Sequence, residues 1–303
     1  MIIAIGIVLL VLALSFVCYY IVFYSPHKGQ GDHYALPEGE QYEKHRDTML
    51  RYIDEFLAID YESVEIVSFD GLILIGRYYH ADEKAPVDIC FHGYRGTGVR
   101  DFCGGSRIAM EMGHNVILVD QRAHGESQGH SISFGINERR DCLSWIEYAL
   151  CRFGEDTEIN LMGISMGAAT VLMAAGLELP HNVKRIVADC PYTSPVEIIK
   201  KVCRDRRLPV ALVYPFIYLG ALIFGHFRLD SADCRNAVRD AMLPILLVHG
   251  EDDRFVPCDM SRKIQRANPK YIHLVTFPDA AHGISYIEDK VRYEALVREF
   301  FKQ

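Results

Sequence analysis

The N-terminal segment differs from the rest of the chain: from Ile2 to Tyr24 there is no charged residue. As a helix that run would be about 35 Å long, which exceeds the ~30 Å hydrocarbon core of a bilayer and predicts a membrane-spanning helix. A cleaved signal peptide would want a basic leading region, a shorter apolar stretch and a small-x-small exit. This segment instead begins Met1-Ile2-Ile3 and leaves through Tyr19-Tyr20-Ile21-Val22-Phe23-Tyr24, as a retained anchor with interfacial tyrosines would. Ser25 to Leu36 mixes Pro, Gly, His and Asp without periodicity and predicts a juxtamembrane linker. Pro37-Glu38 then opens a predicted helix to Ala58, with Leu50, Ile53, Phe56 and Leu57 facing inward.

Beyond that helix the apolar positions switch to period two. Ser63 to Phe69, a turn at Asp70-Gly71, and Leu72 to Tyr79 predict a hairpin. Short apolar runs then predict strands at Val87 to Phe91, Asn115 to Asp120, Glu158 to Gly163, Val183 to Asp189, Pro244 to His249 and Tyr271 to Phe277. Helices fall between them, notably Asn137 to Phe153 and Met166 to Leu177. Wholly apolar strands such as Ile245-Leu246-Leu247-Val248 imply a mostly parallel sheet with helices on both faces. The interval from Asp189 to Pro244 is too long for an ordinary connection and predicts a lid insertion at about residues 192–240. Its second half, Val210 to Phe227, is apolar almost throughout and predicts a helix that either lies over the active site or touches lipid. A second membrane span is disfavoured, because Pro215 and two glycines interrupt the run. The expected organisation is an anchor at 1–24, a linker and helix at 25–60, and an α/β domain at 61–303.

Half of the 303 residues are hydrophobic, ample for a large core, and the net charge is -8. With no basic stripe beyond Arg204-Asp205-Arg206-Arg207, a nucleic-acid partner is excluded. Nine cysteines lie scattered through apolar segments, without zinc-site or C-x-x-C spacing, as buried hydrophobes in a reducing compartment would; Cys258 alone sits near a candidate catalytic acid. The nearby cations Lys28, Lys44 and Arg46 all follow the apolar helix, and together with the unpaired cysteines they place the bulk of the protein in the cytoplasm.

The candidate chemistry centres on Gly163-Ile164-Ser165-Met166-Gly167, which follows the apolar run Ile159-Asn160-Leu161-Met162. The G-x-S-x-G pattern aims a serine hydroxyl out of a strand-to-helix turn, and side chains at 163 and 167 would collide with the neighbouring strand and helix. A serine hydroxyl is a weak nucleophile unaided and needs a base within hydrogen-bond reach, itself oriented by a third group. His282, in Ala280-Ala281-His282-Gly283, follows the last predicted strand at the sheet's carboxyl edge, where Ser165 also emerges. Glu251, Asp252 and Asp253 lie at the end of an intervening strand, and any of the three could be the acid. A tetrahedral oxyanion needs two backbone N–H donors, for which Met166 and Tyr94 are the candidates. Histidines and acids outside this set lack ligand spacing, so no metal or organic cofactor is expected.

From about Ser63 onward the chain resembles the α/β-hydrolase superfamily. Its acid loop H-G-x-x-D-x-x-V-P is similar to His249-Gly250-Glu251-Asp252-Asp253-Arg254-Phe255-Val256-Pro257, which puts Asp253 in the acid role and leaves His249, Gly250, Val256 and Pro257 as loop residues. His92-Gly93-Tyr94 resembles the family's oxyanion loop; His92 reads as a structural turn residue and Arg95 as a solvated one. Asp120-Gln121-Arg122-Ala123-His124-Gly125-Glu126-Ser127 resembles a D-x-R-G-H-G-x-S segment, with Ala123 where glycine is usual, and implies a shaped, hydrogen-bonded loop. Glu138 and Asp141 suit a helix start.

The resemblance implies an α/β-hydrolase fold, to which the apolar runs described above add a helical lid and an N-terminal transmembrane helix. It also implies a serine hydrolase in which Ser165 attacks, His282 shuttles the proton and Asp253 holds the imidazole, with Tyr94 and Met166 forming the oxyanion hole. The expected substrate is a small-molecule or lipid acyl ester such as a lysophospholipid or monoacylglycerol, on a single-pass membrane protein. The alternatives are an amide or peptide substrate, an acyl thioester, or a non-catalytic membrane-tethered binding protein.

Overall fold

The computed structural model describes residues 1–26 and 32–302; Lys28, one of the cations that bear on orientation, lies outside them. The uncharged N-terminal run forms α1 (Ile2–Val22), 21 residues long. It is the one described helix long and apolar enough to cross a membrane. From Ile2 to Leu10 its side chains are exposed, whereas Ser15 and Tyr19 are buried.

The predicted second helix is two, α2 (Glu40–Glu43) and α3 (Arg46–Leu57). At the break, Lys44 and His45 both reach Glu288, at 2.8 and 2.7 Å. Met49, Ile53 and Phe56 are buried on α3, with Leu50 and Leu57 half-buried at the rim.

β1 (Glu62–Val67) and β2 (Ile73–Tyr79) form the antiparallel hairpin. Six strands follow: β3 (Val87–Phe91), β4 (Asn115–Val119), β5 (Ile159–Ile164), β6 (Val183–Asp189), β7 (Ile245–Gly250) and β8 (Ile272–Phe277). The eight-stranded sheet has the order β1-β2-β4-β3-β5-β6-β7-β8, and from β4 to β8 all pairings are parallel. β3, β4 and β7 are buried along their whole length because helices cover both faces, so their sequences are mostly apolar rather than alternating, and the one charge inside β3, Asp88, is met by His114 at 3.1 Å and Asn160 at 2.7 Å. The crossover helices are α4 (Gly98–Phe102), α5 (Gly105–Glu111), α6 (Glu138–Phe153) and α7 (Met166–Ala174).

The insertion between β6 and β7 carries α8 (Pro195–Asp205), α9 (Val210–Ile223) and α10 (Cys234–Val238). α11 (Asp259–Ala267), α12 (Ser285–Glu288) and α13 (Lys290–Phe301) complete the chain. The apolar α9 packs against α1: a Cβ on Gly220 would lie 2.5 Å from the Ser15 carbonyl oxygen and 3.1 Å from the Tyr19 Cβ, so only glycine allows this approach.

The C-terminal end of α1 is built into the core. Phe23 is fully buried, its ring edge-on to Phe134 and Phe227 at 5.8 and 5.3 Å. Its carbonyl accepts from Ile132 N–H at 2.8 Å, while Ser25 N–H donates to the His130 carbonyl at 2.9 Å and Tyr19 Oη lies 2.6 Å from Ser131 Oγ.

Candidate active site

The turn from β5 into α7 forces two backbones together. A Cβ on Gly167 would lie 1.8 Å from the Phe91 carbonyl oxygen, and one on Gly163 would lie 2.3 Å from the Gly167 oxygen. Ser165, between them, has φ +56°, a left-handed value that a side-chain-bearing residue holds only under constraint. Its N–H donates to the Asp189 carbonyl at 2.8 Å, and its own carbonyl accepts from Ala169 N–H at 3.0 Å as α7 begins.

The structure brings Ser165, His282 and Asp253 into one hydrogen-bonded line. Ser165 Oγ lies 2.9 Å from His282 Nε2, and His282 Nδ1 lies 2.7 Å from Asp253 Oδ2. Of the three adjacent acids, Asp253 points inward while Glu251 and Asp252 are exposed. Its Oδ1 accepts from the Phe255 and Val256 N–H groups at 2.9 and 2.7 Å. Burial alone would raise the Asp253 carboxyl, but the charge and hydrogen bonds of His282 and His249 pull it well below the usual carboxylate range. With the carboxylate ionised, His282 Nδ1 is the donor, which leaves Nε2 free to accept from Ser165.

His249 is a site neighbour that sequence reasoning left as a loop residue. Fully buried, it donates from Nε2 to the Val256 carbonyl at 2.8 Å, and that nitrogen lies 3.3 Å from Asp253 Oδ2. The signal was its spacing of four from the acid. Tyr42 was also missed: its hydroxyl donates to the His282 carbonyl at 3.1 Å, bracing the base from the N-terminal segment.

The loop after β3 sits over the serine. A Cβ on Gly93 would lie 3.5 Å from the Ser165 Cβ, and Gly93 N–H donates to Asp101 Oδ2 at 2.7 Å. The Tyr94 and Met166 N–H groups donate to no group among the described residues. His92 is fully buried, with Nδ1 donating to the Gly93 carbonyl at 2.8 Å and Nε2 accepting from Gln121 N–H at 3.2 Å. Burial holds its imidazole below the ordinary histidine range, so it is a neutral strut.

The segment beginning at Asp120 is hydrogen-bonded as expected. Arg122 forms a two-pronged bond to Asp141, both contacts at 2.6 Å, and a second to Asp70 at 3.0 Å. Ala123, where the resemblance has glycine, carries φ +63°, the conformation glycine adopts without cost. Glu138 is buried and accepts from Ser133 and Gly135 N–H at 2.7 and 2.9 Å, so it closes the start of α6 beyond any dipole effect.

A cavity of about 600 Å³ opens on Ser165 and His282. Its walls include Pro37, Tyr42, Met49, Ile164, Phe255 and Ile284. Residues of the β6–β7 insertion do not line it, whereas the segment before β1 contributes Pro37, Gln41, Tyr42 and Met49. Cys190 Sγ and the ligand atoms of Asp253 and His282 lie within 4.8 Å of one another, the one such trio among the described residues. Burial pushes the Cys190 thiol well above its ordinary value, and the other two groups already bond each other, so the trio is poorly suited to hold a cation. Cys258 is likewise buried, which raises its thiol.

Asp189, at the end of β6, is a second buried carboxyl on the cavity wall. Tyr293 donates to its Oδ2 at 3.1 Å, and its Oδ1 has no partner among the described residues. Burial pushes it up to about 6, against the pull of His249. Because this lies above the ordinary aspartate value of 3.8, the folded chain keeps a proton that the unfolded chain has lost between about pH 4 and 6. The stability tied to that proton is full at low pH and is lost as pH rises through about 6. Asp189→Asn, which cannot ionise, is therefore expected to be more stable than wild type at pH 8, on the order of 2 kcal/mol. At pH 4 the two should match; equal melting differences at both pH values would refute the ionisation.

Residues 89–202, from β3 through the serine turn into α8, match the alpha/beta hydrolase fold family. The structure is similar to that of an esterase from Pyrococcus furiosus, Pf2001, with a TM-score of 0.67 and 21% identity over 92% of this chain and 97% of the other. The chain has the α/β-hydrolase fold. This hydrolase-fold protein is 24% identical over 196 residues to the uncharacterised protein YqkD of Bacillus subtilis, covering 64% of each chain. It is 24% identical over 193 residues to the lysophosphatidylserine lipase ABHD12 of Danio rerio, covering 59% of this chain and 46% of that one. The match thus spans less than two thirds of either relative's length.

Proposed function

We propose that this α/β-hydrolase is a membrane-anchored serine hydrolase that cleaves carboxylic esters through an acyl-enzyme. The observation that carries the reading is the unbroken line from Asp253 through His282 to Ser165, at 2.7 and 2.9 Å, at the floor of a cavity. Ser165 Oγ attacks the carbonyl carbon as its proton passes to His282 Nε2, and Asp253 stabilises the imidazolium. The oxyanion is held by the Tyr94 and Met166 N–H groups. Collapse breaks the ester bond, and the leaving alkoxide takes the proton from His282. Water then attacks the acyl-enzyme by the reverse use of the same base, releasing the acid.

An acyl chain of lipid character suits the apolar walls at Met49, Ile164, Phe255 and Ile284. The lipase named above has a lipid substrate, which points the same way. α1 serves as a retained single-pass anchor: a cleavage after Tyr24 would remove Phe23 from the core and strip the loop at Ile132 of its partner. Lys44 and Arg46 beyond the helix favour a cytoplasmic catalytic domain.

The test is to treat the purified full-length protein with a fluorophosphonate probe and measure hydrolysis of p-nitrophenyl esters from acetate to palmitate. Labelling with rates that rise toward longer chains is the expected result. Labelling with only short-chain turnover keeps the serine hydrolase and removes the lipid substrate. A folded wild type that neither labels nor turns over makes the tethered binding protein the better reading.

A further inference from the structure

The end of a helix leaves its last carbonyls without intrahelical donors, and those orphan acceptors must be met by water, caps or side chains. At the end of α1 the donors come from the loop that carries a proposed oxyanion N–H. Tyr94 Oη donates to the Val22 carbonyl at 2.8 Å, and Arg95 Nη2 donates to the Ile21 and Tyr24 carbonyls at 3.0 and 3.2 Å. A guanidinium at this position also meets the negative end of the helix dipole. The Tyr94 ring is clamped too, stacked on Phe134 at 5.0 Å, and Phe134 in turn meets Phe23.

Arg95 itself is held at φ +52°, an uncommon backbone state for a residue with a Cβ. Its N–H donates to His124 Nε2 at 3.0 Å. The loop is therefore fixed from three directions: Gly93 by Asp101, the Arg95 backbone by His124, and the Tyr94 and Arg95 side chains by α1. The first two supports lie inside the α/β domain. The third is supplied by the helix that would otherwise serve only as a tether.

We infer that the last turn of α1 is part of the active-site scaffold, and that the side chains of Tyr94 and Arg95 are positioning residues that hold the Tyr94 N–H in place through it. The inference rests on the esterase reading above. It makes the membrane helix a determinant of turnover, because any shift of α1 relative to the sheet is transmitted through three hydrogen bonds to a transition-state donor. Ground-state binding of the ester is not expected to depend on this link, since the oxyanion forms only after attack.

The test uses the full chain in detergent micelles, with Tyr94→Phe, Arg95→Met and the double variant assayed on p-nitrophenyl butyrate. Phenylalanine keeps the ring stack and removes only the hydroxyl; methionine keeps most of the stem length and removes the donor. Each single change is expected to lower kcat about 10-fold and the pair by more, with KM within about twofold. Arg95→Lys, which keeps a cationic donor, should recover most of the loss. Melting temperatures are expected to stay within a few degrees of wild type, which separates positioning from unfolding. Unchanged kcat in a wild type that turns over overturns this inference and leaves the esterase reading standing; so does a rise in KM at constant kcat, which would make these side chains substrate contacts. A wild type without turnover or labelling removes both.

Discussion

Replacing Ser165 with alanine is expected to abolish fluorophosphonate labelling and to lower kcat for ester hydrolysis by about 10⁵-fold or more. The melting temperature should barely change, because the substitution removes only the hydroxyl and its hydrogen bond to His282 Nε2. His282→Ala should cost about as much, and the double variant little more than either single one, since nucleophile and base act in one step. Asp253→Asn probes the third member differently. Phe255 and Val256 N–H can still donate to the amide oxygen, which turns the amide nitrogen toward His282 Nδ1. A donor there selects the imidazole tautomer with hydrogen on Nε2, which cannot accept the serine proton, and kcat should fall by about 10³- to 10⁴-fold. Hydrolysis by purified Ser165→Ala at more than a tenth of the wild-type rate would rule out this serine as the nucleophile.

The parts of this protein legible in its sequence are those where one local rule decides. β7 is legible because its run Ile245-Leu246-Leu247-Val248 is wholly apolar, as a strand covered on both faces requires. The serine turn was visible because its geometry admits only glycine at 163 and 167. What stayed hidden depends on groups distant in the chain. The break at Lys44-His45 is tied to Glu288, some 240 residues away, and no periodicity reports that. The apolar α9 was legible as a helix, but its partner was not: it packs on α1 rather than lining the cavity, to whose wall the segment before β1 contributes instead. The role of Tyr42 at His282 was invisible for the same reason, because a lone tyrosine in a short helix carries no local signature of a partner 240 residues away.

Gly167→Ala is the second change expected to have a large effect, and it acts through the fold. The added methyl would lie 1.8 Å from the Phe91 carbonyl oxygen, 2.4 Å from its carbon and 2.8 Å from the His92 oxygen. All three are backbone atoms at the end of a central strand, paired in parallel on both sides, so none can move without distorting the sheet. Helix propensity would favour alanine by about 1 kcal/mol, yet relieving such a contact is expected to cost about 4 kcal/mol or more. In a chain of this size the melting temperature should drop by roughly 10 °C. Gly105→Ala is the control: nothing lies within 4 Å of its added Cβ, so there the helical preference should act alone and stability should hold or rise. Equal effects of the two substitutions would show that the close approach of α7 to β3 is wrong. That approach also matters for the proposed chemistry, because it sets Met166 N–H, at the first position of α7, beside the loop that carries Tyr94. A Gly167→Ala protein rescued by low temperature is therefore expected to remain slow, with kcat reduced more than KM is raised.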